Sequence, residues 1–527
     1  MNSIVNKQGC TRARGLFGIK AFGATSLRRP IVWSIAGSDS GAGAGVQADL
    51  KAFAAFGAVH GCTAVAAITA QNSVAVTRVE AVSADLLDVQ LAALAQDMPP
   101  QAIKTGLLGS VENLRVVCRW VDQLRVLAHS QGKTVALVVD PVLGASTGNG
   151  FADDSMVRAY VDELLPRATL VTPNRAEAQR LGLTIGQPRG SLSVVITGGD
   201  ASQQEGMASD WLSSPQAHGW LSLPRVQTAH HHGTGCTFAA TAAAALASGY
   251  CVADAVVLAK MATTHALRHG YAAGEGAGPV SAQADFAQSL ANLPALTPTT
   301  TVAPAPFRPL RDPMLGVYAV VDSAAWVRRV LAAGIRTVQL RIKNPQAPTL
   351  EAQIRESIAV ANATPGAQLF INDHWALALR LGAYGVHLGQ EDLDTVDLYA
   401  LRQSGVRLGL STHSYWEVCR AWALRPSYIA CGPVFATQSK DMPWIPQGLD
   451  NLHYWASVLP VPVVGIAGID ARNIAEVAAR GVAGAAVITA ITRAPNPQDA
   501  CRQLMAEFAR GQRVPRDVLP LRARPTF

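Results

Sequence analysis

The chain has 527 residues, 49% of them hydrophobic and 15% charged, with a formal net charge of +7. That length exceeds one ordinary domain, and the balance suits large buried α/β cores and excludes a disordered protein. The basic excess lies in residues 1–29, where Lys7, Arg12, Arg14, Lys20, Arg28 and Arg29 occur without an acid and leave about +1 on the rest; a nucleic-acid enzyme would carry its excess on the folded body.

Residues 1–29 have transit-peptide composition but read as a disordered basic extension. Beyond them, β-branched runs at 31–37, 64–70, 102–108, 135–142, 170–174 and 194–199 alternate with helical patterns. Such alternation predicts a mostly parallel sheet with helices on its faces. GSDSGAGAGVQADLKAF (37–53) follows the first run and opens a helix. Its glycines let backbone approach a ligand, although tight packing also asks for glycine.

HHHGTGCTF (230–238) precedes an Ala-rich helix. Gly233, Thr234 and Gly235 at a helix start aim free N–H groups and the positive dipole end at one point, an anion hole for a transferring phosphoryl group. Cys236 lies in that first turn, where a thiol's pKa is expected to fall; a small buried cysteine is the plainer alternative. In TPNRAEA (172–178), Asn174 and Glu177 either orient Mg²⁺ through water or cap the next helix. His230–His232 and the pair His265 and His269 have no third ligand or catalytic Glu, so zinc is not expected. Residues 236–253 carry no charge, but their Ala, Thr, Ser and Gly partition weakly into lipid, so they read as a buried helix and not a membrane span. The eight cysteines show no C-x-x-C and no zinc-finger spacing, which fits a reducing, cytoplasmic setting without disulfides.

Six prolines in residues 291–313 predict an extended spacer with neither helix nor sheet pattern. Eight apolar strands follow, at 315–321, 337–343, 367–373, 384–390, 407–413, 428–435, 461–469 and 484–491, with helix-compatible segments between most of them. That is the size of a compact (β/α)8 barrel, whose active site gathers polar residues at the C-terminal ends of the strands. Asp373 and Asp392 end or follow adjacent strands and are hard oxygen ligands suited to Mg²⁺, with helix capping as the bland alternative. Beside Arg341, Lys343 and Lys440 they describe a polyphosphate site. Gly468 and Ile488–Thr489 sit where barrels bind a phosphate through backbone N–H groups, and Thr437 and Ser439 add hydroxyl donors. Two phosphorylated substrates being joined is the implied chemistry.

QLRIK, INDHW, VHLGQED, LGLSTH, GPVFATQSKDMP, VVGIAGI and VITAIT, in this order, resemble thiamine-phosphate synthase over residues 313–495. The resemblance implies that Gln339, Leu340, Arg341, Ile342, Lys343, Asn372, Ser411 and Lys440 hold hydroxymethylpyrimidine diphosphate. It implies Mg²⁺ on Asp373 and Asp392, and thiazole phosphate on Thr437, Gln438, Ser439, Gly468, Ile488 and Thr489. Diphosphate loss would leave a cation that the thiazole nitrogen captures, with Lys440 among the groups stabilising the departing charge and no protein nucleophile needed. GIAGI replaces the usual GIGGI, and Ser439 stands where Thr is common.

AGSDSGAGAGVQADLKAF, IKTGLL, DPV, TPNRAE, DWL and HGTGCT resemble the hydroxymethylpyrimidine/phosphomethylpyrimidine kinases of the ribokinase-like fold over about residues 30–280. By that resemblance ATP is the co-substrate, Asp49 and Gln71 contact the pyrimidine, Gly233–Cys236 form the anion hole with Cys236 as base, and Asn174 and Glu177 serve the Mg²⁺/phosphate motif. Thr197 stands where the family has a Lys near the nucleotide phosphates, and only residues 182–193 stand where it inserts another helix. The expected organisation is therefore a basic extension (1–29), a three-layer α/β/α kinase domain (30–292), a Pro-rich linker (293–312), a TIM barrel (313–512) and a tail (513–527). Its partners are small molecules, with neither nucleic acid nor membrane, and a homo-oligomer is compatible with this reading. The alternative makes the first domain a weak pyrimidine-binding module or a pyridoxal-type kinase.

Overall fold

The computed structural model describes residues 28–144, 152–187, 190, 192–199, 206–300, 304–436 and 444–527. Its first sheet has ten strands: β1 (Ile31–Asp39), β2 (His60–Gln71), β3 (Val76–Ala81), β4 (Ala102–Thr105), β5 (Ala136–Val139), β6 (Leu170–Val171), β7 (Ser193–Ile196), β8 (Met207–Ser213), β9 (His218–Pro224) and β10 (Ala295–Thr297). They run β10-β9-β8-β7-β6-β5-β4-β1-β2-β3. The stretch from β7 to β2 is parallel, while β3 and β8–β10 add antiparallel edges. Parallel strands covered on both faces are continuous apolar runs, so β1, β2 and β4–β7 are the ones the apolar pattern reveals. β9 instead alternates buried and half-exposed residues and pairs as an edge ribbon.

The second region closes into a parallel barrel of β11 (Gly316–Val321), β12 (Thr337–Leu340), β13 (Gln368–Asn372), β14 (Gly385–Leu388), β15 (Arg407–Thr412), β16 (Tyr428–Cys431), β17 (Val463–Ile466) and β18 (Gly484–Val487). All eight coincide with the expected apolar runs. The fold class is thus an α/β sheet domain followed by a (β/α)8 barrel.

Three features depart from the expectations. Part of the Pro-rich segment is sheet: Ala295, Leu296 and Thr297 pair antiparallel with Ser222, Leu221 and Trp220, because the edge strand β9 has unpaired backbone to satisfy. The charge-free stretch 236–253 is not one helix; the helix Thr234–Ala247 ends and a second begins at Val252. No helix among the described residues is long and apolar enough to cross a membrane. Finally, the two regions share one hydrophobic core, which includes Phe56, Tyr250 and Phe286 from the first and Tyr415, Tyr454 and Trp455 from the second. The C-terminal segment is built into that seam: Tyr250 donates its hydroxyl to the Ala523 carbonyl at 2.5 Å, and the Ala523 N–H donates to the Tyr415 hydroxyl at 2.9 Å.

Candidate active sites

In the first region two glycine-containing loops interlock at the C-terminal end of the parallel strands. Gly233 has φ +85 and starts the helix Thr234–Ala247, and a Cβ there would lie 2.0 Å from the Gly43 carbonyl oxygen. Reciprocally, a Cβ on Gly43 would lie 2.2 Å from the His232 ring. Only glycine permits both approaches. Asp39, which the motif reading passed over, ties the loops together. Its carboxylate accepts from the N–H groups of Gly41, Gly43 and Ala44 at 2.8–2.9 Å and lies 3.2 Å from His232 Nε2. Burial raises the Asp39 pKa, but the hydrogen bonds from His232 and those backbone groups prevail and hold it below the usual value. Gln71 Nε2 reaches His232 Nε2 at 2.9 Å, which sets Gln71 at the rim of this site.

Beneath the anion hole lies a buried charge cluster. Lys104 Nζ donates to both oxygens of Asp49 at 2.9–3.0 Å and lies 3.6 Å from Asp140. Burial pulls the lysine pKa down, but Asp49, Cys236 and Asp140 more than offset it, so Lys104 is held well above the ordinary value. Asp140 lies against the hole's floor, its carboxylate oxygens 4.0 Å from where a Gly235 Cβ would stand. Lys104 carried a sequence signal that the reading missed: a lone cation inside the apolar run AIKTGLL.

This cluster bears on two expectations. Asp49 is fully buried and engaged by Ser34 Oγ at 2.6 Å and by Lys104, so it anchors the lysine. The Cys236 thiol is not acidified. Desolvation is the largest cause, Lys104 opposes it, Asp49 and Asp140 reinforce it, and the thiol is pushed up to about 12. Away from this cluster, Asn174 and Glu177 form a reciprocal capping box at 2.9 Å on the helix Arg175–Arg180, as the capping alternative expects. Thr197 is drawn against the same turn, its N–H donating to the Pro173 carbonyl at 2.9 Å.

The barrel mouth keeps its centre neutral and its charges at the rim. Ser411 Oγ lies 2.9 Å from His387 Nε2, His387 Nδ1 lies 2.7 Å from the Tyr428 hydroxyl, and Tyr428 lies 2.8 Å from the Tyr318 hydroxyl. Gln339 Nε2 donates to that last hydroxyl at 3.4 Å. This relay holds Ser411 and Gln339 from below. Burial, helped by Arg341, lowers the His387 pKa to about 4, so the ring is neutral and donates from one nitrogen only. The relay was not anticipated, although His387, Tyr318 and Tyr428 are polar positions within apolar strands.

At the rim, Leu340 and Asn372 end their strands, with Arg341, Ile342 and Lys343 continuing from the first. Asp373 adopts φ +61, an uncommon conformation outside glycine. Burial first, then the Asp392 charge, raise its pKa against the pull of Arg341. Asp392 accepts from the Gly389 N–H at 2.7 Å. Gly468 (φ +69) lets the loop after β17 meet the loop after β16, for a Cβ there would lie 2.6 Å from Phe435 Cβ. Ile488 precedes the short helix that starts at Thr489. Thr437, Gln438, Ser439 and Lys440 lie outside the described residues.

The family model described as phosphomethylpyrimidine kinase matches residues 39–281, and that described as thiamine monophosphate synthase matches residues 317–491. The rice (Oryza sativa subsp. japonica) protein named "Probable thiamine biosynthetic bifunctional enzyme, chloroplastic" is 34% identical over 511 residues, 90% of this chain and 88% of that one. A thiamine-phosphate synthase of Serratia proteamaculans is 50% identical over 192 residues, 36% of this chain and 90% of that one. A solved pyridoxal kinase from Staphylococcus aureus in complex with ADP is 32% identical, covers 48% of this chain and 93% of its own, and has a TM-score of 0.42.

Proposed function

Because the chain belongs to the family of bifunctional thiamine biosynthetic enzymes, we propose a division of labour along it. Residues 30–292 use ATP to phosphorylate hydroxymethylpyrimidine and then its monophosphate. Residues 313–512 join the resulting 4-amino-2-methyl-5-(diphosphooxymethyl)pyrimidine to a thiazole phosphate, giving thiamine phosphate and diphosphate. What carries this reading is that the kinase and synthase matches occur in one chain that aligns over 90% of its length with a bifunctional relative. The first part is therefore a kinase and not a mere pyrimidine-binding module. The cysteines among the described residues are free, which fits a reducing compartment, and a cytoplasmic setting is part of the proposal.

In the kinase part, Gly233, Thr234 and Gly235 turn backbone N–H groups towards the transferring phosphoryl group, and the interlock with Gly43 keeps them aimed. Gln71, held by His232, grips the pyrimidine edge. Cys236 takes the proton of the substrate hydroxyl. It must first lose its own, and the cation of Lys104 is what favours that loss.

In the barrel, Ser411 and Gln339 are steadied by the His387–Tyr428–Tyr318 relay and bind the pyrimidine, with Asn372 and the 340–343 segment beside them. Asp373 and Asp392 suit Mg²⁺: they are two hard carboxylates, and a shared cation would relieve the cost that the Asp392 charge puts on ionising Asp373. Among the described residues no three His, Cys, Asp or Glu side chains converge as a metal-holding group, and an ion held by two carboxylates plus substrate phosphate needs no third. Bound there, Mg²⁺ would neutralise charge on the leaving diphosphate. Arg341, Lys343 and Lys440 take up the rest. Gly468, Ile488 and Thr489, with Thr437, Gln438 and Ser439, hold the thiazole phosphate.

The test uses the whole chain, since its two parts share a core. Supplied with ATP, Mg²⁺, hydroxymethylpyrimidine and thiazole phosphate, it should form thiamine phosphate. Omitting ATP should stop the reaction, and adding the pyrimidine diphosphate directly should restore it. No product from the diphosphate would sink the synthase assignment; no product from hydroxymethylpyrimidine and ATP, where the diphosphate gives product, would sink the kinase assignment.

A further inference from the structure

We propose that Arg175 contacts the ATP phosphates in the kinase site, supplying the positive charge that Thr197 lacks. This rests on the kinase reading above. Arg175 is the first residue of the helix that Asn174 caps, at the C-terminal end of β6. β6 runs parallel beside β7, and the pairing continues past both strands as a bridge between Asn174 and Thr197. The guanidinium therefore lies beside the glycine that follows Thr197: a Cβ on Gly198 would stand 3.6 Å from Arg175 Nη2.

The neighbouring cations are committed elsewhere. Lys104 is buried against Asp49, Lys260 is buried against Asp210 at 2.8 Å, and Arg225 donates to the Gly199 carbonyl at 2.5 Å. Thr197 offers only a hydroxyl, turned 3.4 Å from the Pro173 carbonyl. Arg175 is half-buried and makes no hydrogen bond or ion pair among the described residues. A guanidinium brought this close to backbone without a carboxylate partner is placed to receive an anion, and its planar fork suits phosphate oxygens.

The spacing fits a nucleotide. The anion hole stands over Asp140 at the end of β5, and β5, β6 and β7 are consecutive neighbours in the sheet. At about 4.8 Å per strand, the guanidinium beside β6 and β7 lies on the order of 5–10 Å from the hole. A phosphate chain bridges that distance, with its transferring end in the hole and its other phosphates under Arg175. Charge neutralisation by arginine in phosphoryl transfer acts on the transition state as well as on binding.

The test is steady-state kinetics on the full-length protein, with the synthase reaction from supplied pyrimidine diphosphate as an internal measure of folding. Arg175→Ala should lower kcat/KM for ATP roughly a hundredfold, leaving KM for hydroxymethylpyrimidine and the synthase rate unchanged. Arg175→Lys should recover part of the loss. The double variant Arg175→Ala/Thr197→Lys should recover more, because it returns a cation to the adjoining strand. Wild-type kcat/KM for ATP in Arg175→Ala would overturn the inference, as would a double variant no better than Arg175→Ala. If the wild-type chain makes thiamine phosphate from the diphosphate but transfers no phosphoryl group from ATP, the kinase reading fails and this inference falls with it.

Discussion

The two halves of the chain bury polar groups by opposite means. Under the kinase site a lysine is locked between two aspartates, a fixed charge array below the anion hole. Under the barrel site the buried groups are neutral, a histidine and two tyrosines in series, and charge lies at the rim, on Arg341, Lys343, Asp373 and Asp392 among others. The difference follows the chemistry each half performs. A phosphoryl group must be met by donors fixed at one point, which the anchored array beneath Gly233–Gly235 provides, whereas a developing pyrimidine cation is best served by neutral surroundings and a charged exit for the diphosphate.

The sharpest way to break the comparison is to remove the fixed charge. Lys104→Met leaves Asp49 and Asp140 buried without their counter-ion and should destabilise the protein by about 3–5 kcal/mol. Denaturant midpoints of the full chain read this; a loss below about 1 kcal/mol would mean that the carboxylates are not ionised in the native state. On the barrel side, Asp373→Ala should cut synthase turnover roughly a hundredfold and raise the Mg²⁺ requirement, as expected for a ligand worth several kcal/mol in the transition state. Unchanged Mg²⁺ dependence would return Asp373 to a structural role.

The titration of the two halves should differ as well. Because burial pushes the Cys236 thiol up to about 12, the thiolate fraction rises about tenfold for each pH unit below that value. Kinase kcat/KM should climb with it between about pH 7 and 9. The histidine of the barrel, lowered to about 4, titrates below this range and adds no step to the synthase profile. A flat kinase profile that Cys236→Ala leaves unaltered would remove the cysteine from proton transfer.

At the seam, Asp254 accepts from the Trp416 N–H at 2.9 Å and so caps a barrel helix whose own Ser414 makes no capping bond. Burial is the main cause that raises Asp254 to about 7, with Glu417 adding to it. A carboxyl raised in the folded state binds its proton more tightly there than in the unfolded chain. Its contribution is therefore complete below about pH 4 and is lost as pH rises towards 7. Asp254→Asn keeps an acceptor without a charge and should flatten this dependence in thermal melts from pH 4 to 8. An unchanged slope would show that the seam does not sense this group.

The smallest effect expected is at Ala467, which departs from the GIGGI pattern and takes φ +81. Ala467→Gly should stabilise the chain by about 1 kcal/mol by relieving left-handed strain, measured as a raised Tm. A lowered Tm would mean that the methyl packs better than the backbone suffers.

The amino-acid sequence alone determined the eight staves of the barrel, the central parallel strands, the glycine turn at Gly233 and the rim residues Arg341, Asn372 and Asp373. These are local in nature: a strand buried on both faces must be a continuous apolar run, and a residue that ends it faces the mouth by register. Tertiary structure decided the remainder. β8, β9 and β10 pair as edges, where half-exposed residues leave no such run. The proline-rich segment gained a strand only because β9 offered it a free edge. Cys236 sits in a helix's first turn, which predicts an acidic thiol, yet the neighbours that desolvate it come from elsewhere in the chain. Asp49, expected at the pyrimidine, is paired with a lysine 55 residues away. Local pattern reports which backbone a segment adopts; the sign of a buried group's pKa, and its partner, depend on distant segments meeting in one place.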